Sequence, residues 1–306
     1  MPEQINLAGK LAKHLPPELF ALIRKIADIA YHKNMPLYLV GGIVRDLILE
    51  QKNYDLDLVV EGNAIGLATV LAEQIGGKLK THPMFNTAKL SAGKWSVDIA
   101  MARTETYTKP GALPAVKPGT IHTDLFRRDF TVNAMALCLS PASYGELIDL
   151  YGGLDDLNNK LIRILQGKSF IDDATRIWRA LRYEQRLNFQ IEPDTLSLLK
   201  RDVPMLKTVG GYRLRRELEL ALAEKEPEKI LLRADRLGVL KELHPSLKAD
   251  KWLIERFREA RESGYSAAEL YLSIMSSRLS ESEFTEFVSH LRFTKQMLIK
   301  TKEMRP

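Results

Sequence analysis

The chain changes its hydrophobic rhythm as it runs. Residues 5–33 carry apolar positions at helical spacing, with Leu19, Leu22, Ile23 and Ile26 as a stripe and a break at Pro16-Pro17. Residues 36–40 read as a short buried strand, and residues 43–50 return to helical spacing through Ile43, Val44, Leu47 and Ile48. After a turn at residues 51–53 the pattern alternates: Tyr54, Leu56, Leu58 and Val60 face one way, Asp55 and Asp57 the other. A helix is expected over residues 63–75, closed by Gly76-Gly77, then a hairpin of strands 87–91 and 94–101. Residues 103–124, with Pro110-Gly111, Pro114 and Pro118-Gly119, predict a long loop. Beyond residue 169 the spacing is helical, with Leu196, Leu199 and Leu206 facing a core and residues 228–303 alternating apolar and charged positions. The expected class is α+β: a head with a mixed sheet and flanking helices, then an all-α remainder.

Candidate chemistry clusters in the first alternating stretch. A strand that breaks at Gly41-Gly42 and feeds a helix exposes backbone N–H groups beside the positive end of the helix dipole, which suits phosphate. Arg45, one turn in, can add a forked donor. Asp55 and Asp57 project from one strand face roughly 6–7 Å apart and repel unless a cation lies between them. A hard divalent ion such as Mg²⁺ removes that conflict. Phosphate donors beside a carboxylate pair suit metal-assisted phosphoryl or nucleotidyl transfer. Asp98, on the second hairpin strand, is a candidate third carboxylate; a solvated hairpin position is the plainer alternative.

A second cluster lies near residue 170. Ser169-Phe-Ile-Asp172 reads as a capping box before a helix. On that helix Ala174, Ile177, Trp178 and Leu181 share one side, Arg176 and Arg179 point away, and Asp173 and Arg182 flank them. A salt-bridged surface helix would look the same. The alternative is a nucleotide site, because an arginine donor beside an aspartate acceptor can match the Watson–Crick edge of cytosine or adenine.

At 306 residues the chain is long enough for two or three domains, and a net charge of +6 with a pI of about 9.2 favours a polyanionic partner. The lone Cys138 excludes an intrachain disulfide and a cysteine-built metal site. No apolar run is long enough to cross a bilayer and no signal-peptide pattern is present, so no membrane partner and a cytoplasmic setting are expected.

Gly41-Gly-Ile-Val-Arg-Asp46 followed by Asp55-Leu-Asp57 resembles the first motif of the bacterial-type (class II) tRNA nucleotidyltransferase / poly(A) polymerase family, within the DNA polymerase beta superfamily. Arg127-Arg-Asp-Phe-Thr-Val-Asn133 resembles its second motif and Asp149-Leu-Tyr-Gly-Gly-Leu-Asp-Asp156 its third. Asp173, Arg176, Arg179 and Arg182 fall on the steps of the fourth, with Asp172 where Glu is usual and Trp178 where an aliphatic residue is common. Gly210-Gly-Tyr-Arg-Leu-Arg-Arg-Glu217 resembles the fifth, with Tyr212 where Glu is usual. The metal-phosphohydrolase His-Asp motif of some relatives is absent.

The resemblance implies a polymerase-beta-like nucleotidyltransferase head (1–148), a neck with a base-reading helix (149–212) and a helical body that binds RNA (213–306). It implies template-independent addition of CMP and/or AMP, from CTP and ATP, to the 3′ end of tRNA at the acceptor stem. A CC-only or A-only enzyme, or a poly(A) polymerase, would share the motifs. By the same resemblance Mg²⁺ sits on Asp55 and Asp57. Gly42, Arg45 and Arg128 hold phosphates, Asp129 and Asn133 read the ribose, and Asp173 and Arg176 choose the base beside Arg179 and Arg182. The loop before the second motif helps select the incoming nucleotide. Arg213, Arg215 and Arg216 either touch RNA phosphates or decorate a helix surface.

Overall fold

The computed structural model describes residues 5–264 and 268–305, so Tyr265 to Ala267, inside the helical stretch expected over 228–303, lie outside the described residues. The chain divides into two units: Met1–Thr106 with Pro114–Asn159, and Tyr107–Leu113 with Lys160–Pro306.

In the first unit, helices α1 (Ala8–His14) and α2 (Pro17–His32) flank the proline break, because Pro17 is tolerated only at the first turn of the second helix. Then follow β1 (Leu37–Val40), α3 (Gly42–Ile48), β2 (Leu56–Val60), α4 (Ala64–Ile75), β3 (Lys78–His82), β4 (Thr87–Ala92) and β5 (Trp95–Met101). Asn63 caps α4 by accepting from Gly66 N at 3.0 Å, and Gly76 ends it in the left-handed conformation. The unit continues with β6 (Arg103–Thr106), β7 (Ala115–Pro118), α5 (Ile121–Phe126), β8 (Met135–Cys138), β9 (Leu147–Asp149) and α6 (Gly153–Asn158).

Among the described residues, seven strands form one mixed sheet in the order β3-β4-β5-β2-β1-β8-β9. Only β2 and β5 pair in parallel; the other neighbours are antiparallel. Helices α2, α3 and α4 pack on the sheet or on one another. Leu56, Leu58, Val60, Val97 and Ile99 are at most 1% exposed, so the sheet's core face is dry. Cutting Leu58 back to Ala would cost about 2–5 kcal/mol. Period-two alternation sends Asp57 and Asp98 to the opposite face. β3, at the sheet edge, was not anticipated: Lys78-Leu-Lys-Thr-His82 has one apolar residue in five.

Residues 103–124 are not the long loop that the prolines suggest. β6 and β7 pair antiparallel, Arg103 opposite Pro118 and Thr106 opposite Ala115, and α5 follows. Pro110-Gly111 lies between the two strands, and Gly111 at φ +72° supplies a turn. Pro118 is tolerated because it ends its strand.

The second unit holds β10 (Leu161–Ile162), α7 (Ser169–Asp172), α8 (Thr175–Leu187), β11 (Gln190–Ile191), α9 (Pro193–Asp202), α10 (Gly211–Leu222), α11 (Pro227–Arg236), α12 (Lys251–Glu262), α13 (Ala268–Ser276), α14 (Glu281–His290) and α15 (Lys295–Glu303). It is helical apart from the two-residue parallel pair β10–β11. Ala174, Ile177, Trp178 and Leu181 are 0% exposed, so α8 is pinned by the expected stripe and packs on α10 and α11. No helix of the described residues is long and apolar enough to cross a membrane.

Candidate active site

The first unit's chemistry gathers on the polar face of the sheet. β2 and β5 run in register, Asp57 opposite Asp98, and β5 pairs with β4 so that Asp98 lies opposite Lys89. Lys89, Asp98 and Asp57 therefore stand abreast across three adjacent strands. Lys89 Nζ binds Asp98 Oδ2 at 2.8 Å. Asp55 precedes β2 in an Asx turn, its N–H donating to Asn53 Oδ1 at 2.9 Å. A cleft of about 440 Å³ runs over this row, lined by Asp57, Lys80, Lys89, Asp98, Arg127 and Arg128 among others.

Asp57 is open to solvent at its tip but sits in the concave floor of that cleft. Desolvation raises its pKa to about 6; Arg128 opposes the rise, Asp98 and Asp55 add to it, and Lys89 opposes it weakly. Three carboxylates thus share the field of two cations, Arg128 and Lys89. Oxygen donors under like-charge stress suit a hard divalent ion. Among the described residues, no three acidic, histidine or cysteine side chains converge as a closed metal cage. Such an ion would be held by two carboxylates and by phosphate oxygens.

Gly41 makes room above Asp57. At φ +77° it adopts a conformation that favours glycine. A Cβ there would lie 3.0 Å from Arg128 Nη1 and 3.9 Å from Asp57 Oδ2. Arg128 is aimed by a buried carboxylate. Asp124, 0% exposed, accepts from Arg128 Nη2 at 3.0 Å and from Arg127 Nη2 at 2.6 Å, while Arg127 also reaches Glu105 at 3.1 Å. The Arg128 Nε is buried without a hydrogen-bond partner, an unused donor on the cleft wall.

Arg45 lies beneath the glycine turn. It is 3% exposed and donates to Asp46 Oδ1 at 2.7 Å and to Asn133 Oδ1 at 2.6 Å. Asn133 Nδ2 donates to Asp129 Oδ1 at 3.1 Å, and Asn53 Nδ2 to Asp46 Oδ2 at 2.7 Å. One buried network therefore joins Arg45, Asn133 and Asp129 to the turn that launches β2. In the third motif Asp149 accepts from Gly153 N and Leu154 N, both at 2.8 Å, at the start of α6.

The second unit presents Asp173 at a break between two helices. Ser169 is not an N-cap: α7 begins at Ser169, with Lys168 before it, and stops at Asp172. The reason is local. The Ser169 hydroxyl is taken by Arg176 Nη1 at 2.6 Å, and the Asp173 carboxylate caps the next helix, accepting from Thr175 N at 3.1 Å and Thr175 Oγ1 at 2.7 Å. Arg213 Nη2 then binds both Asp173 oxygens at 2.8 Å. Arg176 and Arg182 are buried at 8% and 6% exposure; Arg182 pairs with Glu217 at 3.3 Å and Glu224 at 3.6 Å. Arg179 is half-buried, its guanidinium 5.9 Å from the Tyr183 ring.

Asn53, Lys89 and Asp124 thus belong to the first cluster without a role expected from the sequence, while Gly41, expected only as part of the phosphate turn, makes room for Arg128, and Arg213, expected at RNA phosphate or on a helix surface, is tied to Asp173. Asn53 and Gly41 had local signals, an Asx turn two residues before an aspartate and a glycine ending a strand. Asp124 had one too, arginines three and four residues on, though its bond to Arg103 N on β6 had no local signal.

Comparison with known proteins agrees with this fold. Residues 37–163 match the family described as Poly A polymerase head domain, and residues 188–251 match the one described as Probable RNA and SrmB- binding site of polymerase A. The chain is 43% identical over 238 residues to an A-adding tRNA nucleotidyltransferase of Geobacter sulfurreducens, covering 77% of this chain and 27% of that protein. It is 42% identical over 227 residues to the A-adding tRNA nucleotidyltransferase of Halalkalibacterium halodurans, covering 72% and 53%. A solved CCA-adding enzyme in an apo form superposes with a TM-score of 0.88 at 38% identity, over 99% of this chain and 74% of that one. Other relatives are a CC-adding and a CCA-adding enzyme, and similar structures include CCA-adding enzymes in complex with ATP, CTP and tRNA.

The first unit is therefore a polymerase-beta-like head. The chain belongs to the bacterial-type tRNA nucleotidyltransferase / poly(A) polymerase family. It spans about a quarter to a half of the length of the curated relatives it matches.

Proposed function

We propose that the chain is a template-independent tRNA nucleotidyltransferase that adds CMP and/or AMP, from CTP and ATP, to the 3′ end of the acceptor stem. The observation that carries this reading is Asp57 in the floor of a cleft, abreast of Asp98 and within the field of Arg128. Addition of A alone is the first variant of this reading: the A-adding relatives are 42–44% identical, a CC-adding one 40% and CCA-adding ones 30–38%. A poly(A) polymerase would use the same head.

In the reaction the RNA 3′-oxygen attacks the α-phosphorus, a new P–O bond forms, the α–β bridge bond breaks and pyrophosphate leaves. Mg²⁺ held by Asp55 and Asp57, when bound, lowers the pKa of the attacking hydroxyl and offsets charge on the leaving group. Arg128, locked by Asp124, donates to the triphosphate beside the open backbone at Gly41 and Gly42. Arg45 holds Asn133 in place, and Asn133 with Asp129 reads the ribose. Asp173 and Arg176 present an acceptor and a donor to the base, with Arg179 and Arg182 on the same helix. GTP and UTP present the reverse pattern and would leave buried polar groups unpaired. Of Arg213, Arg215 and Arg216, the exposed Arg216 is the one to neighbour RNA, since Arg213 is tied to Asp173 and Arg215 is buried. The functional parts are a head over residues 1–148, a neck over 149–212 and an RNA-binding body over 213–306, in a cytoplasmic setting that the single cysteine fits.

The test is incubation with tRNA lacking the whole end, tRNA lacking only A, or generic RNA, with labelled CTP or ATP. Labelled tRNA with the protein, and none with Asp57→Asn that remains folded, is the expected result. Near-normal addition by that variant refutes the metal assignment. Extension of generic RNA selects the poly(A) polymerase reading.

A further inference from the structure

The row across the sheet holds one residue that the proposed chemistry leaves unused. Lys89 faces the same cleft as the acids, across the strand from Asp98, and its ammonium is bound to Asp98 Oδ2 at 2.8 Å. Asp98 in turn stands opposite Asp57. The ammonium occupies one of the two Asp98 carboxylate oxygens and offsets its charge.

On an open surface such a half-exposed pair would be decoration. Here it sits within a charge cluster. Asp55, Asp57 and Asp98 gather negative charge at the edge of a cleft that Lys80, Lys89, Arg127 and Arg128 also line. The hydrogen bond to Asp98 and the field of the three acids hold the Lys89 pKa up.

Resting on the function proposed above, we propose that Lys89 is a positioning residue for the divalent cation: it keeps Asp98 out of the donor set, so that Asp55 and Asp57 alone take the ion and triphosphate oxygens complete its shell. With Lys89 in place part of the acids' charge is already offset, and a divalent ion is held better once a triphosphate adds negative charge of its own. Cation loading is thereby tied to nucleotide arrival. Without Lys89 the site gains one unit of negative charge and a third free carboxylate, and the ion binds without nucleotide.

Mn²⁺ binding to the nucleotide-free protein, read from the free-ion electron paramagnetic resonance signal, tests this. Lys89→Met should bind Mn²⁺ about tenfold tighter than the unaltered chain, as expected for removal of a nearby unit charge at modest dielectric. Lys89→Arg should match the unaltered chain, and Lys89→Met with Asp98→Asn should lose the gain. The advantage of Lys89→Met should shrink when a non-hydrolysable CTP or ATP analogue is present. An unchanged affinity in Lys89→Met, or a double variant as tight as the single one, overturns the role of Lys89. The Asp57→Asn variant separates the two levels: if it leaves Mn²⁺ binding untouched, the function reading itself falls. If it weakens binding while Lys89→Met changes nothing, only the present inference falls.

Discussion

Asp57 carries a stress that metal binding would relieve, and it has a measurable signature. Its pKa is about 6 in the folded chain against an ordinary 3.8, so between those values the folded state binds more protons than the unfolded one. Stability contributed by this group therefore falls as pH rises through the window from about 4 to 6, and the full penalty stands above it. In metal-free protein Asp57→Asn should accordingly raise the melting temperature at pH 8, by about 1 kcal/mol of stability once solvent screening is allowed for. The gain should vanish near pH 4. Thermal melts in chelator across that range check the sign; a variant less stable than the parent at pH 8 would contradict it. Gly41 is a second single-residue test. Gly41→Ala places a Cβ 3.0 Å from Arg128 Nη1 at a φ of +77°, so it should cost about 1–2 kcal/mol in urea denaturation and raise the KM for nucleotide disproportionately. Equal KM values would detach Arg128 from the triphosphate.

At the scale of elements, periodicity located β1, β2, β4, β5, α4 and α8, because each is held by a continuous apolar face such as Leu56, Leu58 and Val60. The carboxylates were legible for the same reason: on strands, alternation alone exposes Asp57 and Asp98. What stayed hidden depends on which of several available partners a strand or side chain takes. The β6–β7 ribbon is built by backbone pairing of two four-residue strands with no run of apolar residues on β6, and Pro and Gly in its turn mask it as a loop. The break after α7 comes from side chains that choose new partners, Ser169 with Arg176 and Asp173 with Thr175 and Arg213. Arg182 reads as a free member of an arginine face, but Glu217 and Glu224 on α10 and just after it neutralise it. Arg213→Ala should free the Asp173 carboxylate from its bidentate tie and relax base choice by about tenfold, the worth of one charge-assisted hydrogen bond. Competition of CTP and ATP against GTP and UTP measures this, and unchanged discrimination would disconnect Arg213 from base selection.

Over the whole molecule, under the proposed function, the net charge of +6 would make RNA association a salt-dependent equilibrium. Contact with four phosphates of a single strand would weaken binding about 50-fold between 50 and 200 mM salt. A titration of tRNA by fluorescence anisotropy across that range checks it, and a flat response would remove phosphate contact from the account. The cationic side chains are not spread evenly in role. Arg45 and Arg182 are interior braces, whereas Lys80, Lys89 and Arg128 line an open cleft, so charge count alone overstates the surface available to RNA.

Asp173 occupies a joint, with φ −141° and ψ 94°, where one helix has finished and the next has not begun. A carboxylate in mid-helix is aimed by the helix itself and can be redirected only by unwinding it. This one is aimed by two removable tethers, Thr175 and Arg213. Under the proposed function, exchanging either tether re-aims the acceptor while both helices stay intact, so the letter this chain writes can drift from one nucleotide to another at little cost to folding.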